Sequence, residues 1–180
     1  MAHETESTIL DIDADAIKKK LAALGAEKTR DTLLRVSWFR IKGVKEGEDP
    51  WYLRVRSDAE GGHEVTWKGR SDILGASRTH KEINFVVSDS EKMGAIFEAV
   101  GLENYAYQEK KRTSFTFKDW QFDIDHYPGM PPYLEIEGSS ENHVQEAIRL
   151  LGLEGNRTWA KGERLLIQTV YNLDWYKMRF

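Results

Sequence analysis

The segment PPYLEIEG, residues 131–138, sets Glu135 and Glu137 one residue apart on a stretch that reads as a strand after a proline turn. In an extended chain Leu134 and Ile136 share one face, and Tyr133, Glu135 and Glu137 share the other. Two carboxylates on one strand face repel unless a positive charge stands between them. The segment HETEST, residues 3–8, repeats the spacing with Glu4 and Glu6. Basic residues show the same habit, as Arg54 and Arg56 in WYLRVRS and as Lys110 and Arg112 in EKKRTSFTFK. Clustered carboxylates suit Mg²⁺ or Mn²⁺, while guanidinium and ammonium groups suit phosphate oxygens. The chemistry that joins the two is recognition of a metal–polyphosphate.

Such pairs need elements that set them face to face. Period-two alternation predicts strands over 3–11, 33–42, 51–57, 63–69, 79–88, 107–118, 120–127 and 133–138. Sorted by parity, Leu53 and Val55 oppose Arg54 and Arg56, and Val65 and Trp67 oppose Glu64, Thr66 and Lys68. Ile83, Phe85 and Val87 oppose Arg78, His80, Glu82 and Asn84. Thr113, Phe115 and Phe117 oppose Lys110, Arg112, Ser114 and Thr116, and Trp120, Phe122 and Ile124 oppose Gln121, Asp123 and Asp125. An ordinary sheet with one wet face accounts for any single strand. Paired like charges gain nothing in water, however. They become useful when opposite-sign pairs, or a multivalent ligand, lie across from them.

A closed or nearly closed antiparallel barrel meets that need, with a charged lumen and helices over its apolar outer face. The expected class is therefore α+β. One lumen wall is cationic: Arg54, Arg56, Lys68, Arg78, Lys110 and Arg112, the expected phosphate contacts. The other is anionic: Glu4, Glu6, Glu82, Asp123, Asp125, Glu135 and Glu137, the expected metal ligands.

Helices are expected at 14–24, 90–100 and 141–151, each opened by Asp or Ser and closed by glycine. A fourth is expected through WAKGERLLIQTVYNL, with Leu165, Leu166, Thr169 and Val170 as its apolar stripe. The stretches GVKEGEDP and GRSDILGASR read as longer loops. Trp51, Trp67, Trp120 and Trp159 read as packing residues, not as a base-stacking platform.

The 180 residues predict a single domain spanning 1–180, with 40% hydrophobic and 31% charged residues as in a globular protein. No apolar run spans a membrane and no signal-like segment stands at the start, so no membrane partner and a cytoplasmic location are expected. The absence of cysteine rules out a disulfide framework or thiolate metal site. A net charge of −4 argues against nonspecific nucleic-acid binding. There is no Walker loop, no Gly-x-Gly-x-x-Gly after a strand and no His-Glu-x-x-His helix.

These motifs, in this order, resemble the CYTH superfamily of triphosphate tunnel metalloenzymes. The match runs through Glu4-Thr-Glu6-Ser-Thr8, LRVR, TWKG with Lys68, RTHKEI with Arg78 and Glu82, EKKR, and DIDHYPGMPPYLEIEG. The resemblance implies an eight-stranded antiparallel tunnel, Mg²⁺ or Mn²⁺ as cofactor, and a catalytic set of Glu4, Glu6, Asp125 and Lys68. It implies action on ATP as a class IV adenylate cyclase does, or on tripolyphosphate, thiamine triphosphate or a nucleotide as a triphosphatase. A noncatalytic triphosphate sensor is a third reading, and both a monomer and a homodimer are compatible. Thr8 replaces the family lysine of the first motif, and Asn84 stands where many members carry a second glutamate.

Overall fold

The alternating segments form ten strands in the computed structural model, which describes residues 2–45 and 47–180, and side chains from Thr5 onward. They are β1 (Ala2–Ile9), β2 (Glu27–Ile41), β3 (Tyr52–Ser57), β4 (His63–Lys68), β5 (Asp72–Leu74), β6 (Ser77–Val86), β7 (Leu102–Phe117), β8 (Trp120–His126), β9 (Tyr133–Gly138) and β10 (Thr158–Trp159). Hydrogen bonding runs β1-β9-β8-β7-β2-β3-β4-β6 and returns to β1, where Glu6 faces Arg78. All these pairings are antiparallel, so eight strands close a barrel. The short β5 and β10 are added outside the ring, on β6 and on β1.

Three helices follow the predicted caps. The Asp13 carboxylate accepts from the backbone N–H of Asp15 and Ala16 at the start of α1 (Ala14–Ala23). Asp89 and Ser140 do the same for α2 (Ser90–Ala99) and α3 (Glu141–Leu150). α1 and α3 cover the outer face of one half of the barrel, burying Ile17, Leu21, Val144 and Ile148 against Ile9, Phe122, Ile124, Leu134 and Ile136. α2 lies over the other half, where Met93 and Phe97 pack on Phe39, Leu53, Val55 and Val65. Its cover is thin: Ile83 and Phe85 on β6 remain 44% and 48% exposed. Trp120 is buried in the first of these cores, and Trp51 and Trp67 pack against the second, as expected of packing residues.

Four expectations are corrected. β2 begins at Glu27, well before the alternation that announces it, because the added ladder is polar on both faces, and β7 begins at Leu102, where a register shift between Ala106 and Asn104 breaks the alternation. GRSDILGASR is not all loop, since its centre forms β5. The fourth helix is a single α turn, α4 (Glu163–Leu165), running into a π-helical turn Leu166–Val170. Its buried residues are Leu166 and Ile167, while Leu165 and Thr169 are exposed. The π-helical turn changes which residues share a face, so the stripe counted at ordinary helical spacing is displaced.

The fourth correction concerns the lumen. Residues directly paired across two strands share a face. The register pairs Leu34 with Lys110, Val36 with Arg56 and Trp38 with Arg54, so β2 sends an apolar wall into the barrel. Leu166, Ile167, Trp175 and Met178 of the C-terminal segment pack on that wall together with Leu10, Tyr127 and Tyr133. The C-terminal segment thus closes one side of the lumen, a task assigned above only to charged residues. Trp159 packs against this core.

Candidate functional site

Arg112 stands at the centre of the tunnel. From β7 its Nε donates to Asp125 Oδ1 at 2.6 Å, and a terminal nitrogen reaches Asp125 Oδ2 at 2.5 Å. That same nitrogen also donates to Glu135 Oε2 at 2.8 Å, and the other terminal nitrogen meets Asp123 Oδ2 at 2.5 Å. The strands explain the geometry: β8 pairs Asp125 with Arg112, and β9 pairs Glu135 with Asp123. One guanidinium therefore holds three buried carboxylates.

Around it the walls pair in order. Lys110 Nζ lies 2.7 Å from Asp125 and 3.0 Å from Glu163. Arg78 meets Glu6 at 2.5 Å, and Lys68 meets Glu82 at 2.5 Å. Glu82 also accepts from Asn84 at 2.6 Å and lies 3.2 Å from the His80 ring, so Asn84, on the same strand face, orients this acid. Arg56 is bonded to Glu64. Arg54 differs: among the described residues it makes no ion pair, its buried Nε has no partner, and its guanidinium stands 5.7 Å from the Trp38 ring. Glu137 lies opposite Glu6 and Gln121 in the register and lines the same cavity of about 830 Å³. The Glu4 side chain lies outside the described residues; its backbone pairs with His80.

The charges strain one another. Burial and then the neighbouring Arg54 and Arg112 push the Arg56 guanidinium down to about 10, with Arg30 adding to the repulsion against the help of Glu64. Burial would raise Glu6 and Asp125, yet Arg78 and Lys68 hold Glu6, and Arg112 and Lys110 hold Asp125, far below the usual carboxylate range. Glu135 moves the other way: burial and the nearby Glu6 raise it, against Lys110 and Arg112. The barrel therefore carries a patch of crowded cations beside a carboxylate that resists ionisation, and a bound anion and a bound cation would relieve both.

Two participants escaped the sequence reading. Arg30 reaches the lumen from the part of β2 that has no apolar alternation. Glu163 enters from α4, and its carboxylate oxygen, with those of Asp125 and Glu135, forms a group within 4.8 Å of one another. Among the described residues, Glu6, Asp123, Glu82 and Glu137 stand in no such group; the first three are held instead by Arg78, Arg112 and Lys68. Nothing in the spacing of WAKGERLL marks Glu163 as a lumen residue.

A closed eight-stranded antiparallel barrel with acid–base pairs facing inward defines the triphosphate-tunnel class. The chain belongs to the CYTH domain family, whose model matches residues 3–162. Over 87 residues it is 36% identical to a protein of Methanocaldococcus jannaschii named "putative adenylate cyclase"; the match covers 48% of this chain and 49% of that protein, about half the length of each. A Vibrio parahaemolyticus structure described as a "putative adenylate cyclase" superposes with a TM-score of 0.78 at 11% identity, covering 92% of this chain and 98% of the other. A Hippeastrum structure, described as a "putative adenylyl cyclase" with a dominant triphosphatase activity, gives a TM-score of 0.67 at 14% identity over 93% and 94% of the two chains. At these identities the two structures speak for the fold. No helix among the described residues is long and apolar enough to cross a membrane.

Proposed function

We propose that this chain is a divalent-metal-dependent enzyme that acts on a triphosphate held in the tunnel, with cyclisation of ATP to cyclic AMP and pyrophosphate as its reaction. The observation that carries the proposal is the crowding of Arg54, Arg56, Arg112 and Arg30 in the barrel, where burial first and repulsion by the other arginines second depress Arg56. Buried cations that repel one another are costly in a chain with no anion to receive. A triphosphate supplies enough negative oxygens for all of them.

In this reading Arg54, Arg56 and Arg112 take phosphate oxygens from one side, and Lys68, Arg78 and Lys110 take them from the other. Glu6, Asp125, Glu135 and Glu137 would hold Mg²⁺ or Mn²⁺, with Glu4, Asp123 and Glu82 beside them. The hard oxygen donors and the resistance of Glu135 to ionisation fit such an ion. When bound, the ion would neutralise charge on the transferred group and the leaving oxygens. Glu4, Glu6, Asp125 and Lys68 form the proposed catalytic set. Trp38, Tyr52 and Trp175 line the same cavity and offer an apolar surface to a base and ribose. There the ribose 3′-hydroxyl would attack the α-phosphorus and pyrophosphate would leave.

Hydrolysis by water at the terminal phosphorus is the second reading, favoured by the activity named for the Hippeastrum neighbour. Both need the same clamp. Incubation with ATP, tripolyphosphate or thiamine triphosphate plus Mn²⁺, followed by product analysis, tests the choice. Cyclic AMP with pyrophosphate is expected; orthophosphate alone selects the triphosphatase, and tight binding without product selects a sensor.

A further inference from the structure

Several donors converge on the Glu163 carboxylate where the C-terminal segment crosses the tunnel. Its Oε2 accepts from Lys110 Nζ at 3.0 Å and from the Tyr133 hydroxyl at 3.0 Å, and its Oε1 faces the Trp175 indole N–H at 3.5 Å. Lys110 and Tyr133 are 2% and 1% exposed, so these donors are not surface groups meeting a passing acid. An ammonium, a phenol and an indole N–H aimed at one point make a seat for an anion. The chain's own carboxylate sits in it.

The flanking residues hold Glu163 there by independent means. Gly162 has φ +86°, and a Cβ at that position would stand 2.8 Å from a guanidinium nitrogen of Arg78. Arg164 Nη1 lies 3.4 Å from Asp49 Oδ2 in the connection between β2 and β3, and the other Asp49 oxygen is buried without a partner. Residues 162–164 thus touch two of the six predicted phosphate contacts.

We propose that Glu163 is an in-chain stand-in for a ligand phosphate, holding the Lys110 seat until a more highly charged anion displaces it. Glu163 is then a specificity-determining residue. A singly charged anion gains too little at Lys110 to dislodge it, whereas a triphosphate anchored at the same time on the arginine side of the tunnel does. This inference rests on the triphosphate reading above.

The test is calorimetric titration with tripolyphosphate in the presence of a chelator, on the unaltered chain, on Glu163→Gln and on Glu154→Gln. Glu163→Gln keeps the shape of the side chain and one acceptor oxygen without its charge, and Glu154 is an exposed acid that controls for net charge. Glu163→Gln should bind roughly tenfold more tightly, the loss of one charge-assisted competitor, with Glu154→Gln unchanged. If the unaltered chain binds and Glu163→Gln binds equally or more weakly, the inference falls and the proposed function stands. If neither binds with chelator or with Mn²⁺, both fall; if binding needs Mn²⁺, the same comparison of variants is read there. A loss of affinity confined to titrations with Mn²⁺ makes Glu163 a ligand of the ion and also overturns the inference. A second measurement needs no variant: tripolyphosphate should speed amide hydrogen exchange over residues 163–170 of the unaltered chain. Unchanged or slowed exchange there contradicts the displacement.

Discussion

At the scale of single residues, the arginines that look equivalent in sequence have different jobs. Arg112 is tied to Asp123, Asp125 and Glu135, all buried. Arg112→Ala leaves Asp123 and Glu135 without their cation and Asp125 with Lys110 alone, and should cost about 3–5 kcal/mol of stability. Arg54 holds no such cluster. Arg54→Ala should leave the melting temperature nearly unchanged while weakening triphosphate binding roughly tenfold. Thermal melts and calorimetry on both variants check the contrast; equal melting temperatures would contradict the pairing described above. The acids make a second prediction. Glu6 and Asp125 have folded pKa values depressed below their ordinary 4.5 and 3.8, so their stabilisation is present above those values and lost as pH falls through and below them. Glu135 is raised, so it opposes folding above about its ordinary 4.5 and returns part of that below. Two depressed groups against one raised group predict a falling melting temperature between about pH 5 and pH 3. A rise over that range would show that the cations do not hold Glu6 and Asp125.

At the scale of elements, alternation is legible wherever one strand face is apolar, because the outer face of this barrel is a core. That is why β3, β4, β8 and β9 stand within a residue or so of their expected places. The signal fails where the reason fails. The early part of β2 carries Arg30 and Thr32 inward and Asp31 outward, so no apolar parity announces it, and the lumen cation Arg30 is lost with it. β5 and β10 have three and two residues, too few for any period. Glu163 was illegible for a different reason. It reaches Lys110 across a separation of 53 residues, from a segment whose helical look says nothing about which lumen it enters. Gly162 tests that element directly. With φ +86° and ψ 155° it occupies backbone space open essentially to glycine alone. Gly162→Ala should cost about 1–3 kcal/mol, or several degrees of melting temperature. An unchanged melt would mean that the segment does not cross Arg78 as closely as the structure has it.

For the whole molecule, the barrel turns a charge pattern that water would penalise into an asset. Closure at β1 and β6 brings Glu6 to Arg78, and the run β7-β8-β9 brings Glu135 to Arg112. The pairs satisfy one another between neighbouring strands, without fixing what the lumen is for. The excess is what points to a ligand: Arg54 unpaired among the described residues, Arg56 depressed by burial and by the neighbouring arginines, and Glu135 raised by burial and by Glu6. A triphosphate with Mn²⁺ should therefore raise the melting temperature more than either component alone. The most direct measurement is a crystal structure with tripolyphosphate and Mn²⁺, the ion located by its anomalous scattering. The account predicts phosphate oxygens on Arg54, Arg56 and Arg112 and the ion on the carboxylates of Glu135 and its lumen neighbours. Phosphate and ion bound outside the barrel, with the Arg112 cluster unchanged, would contradict it.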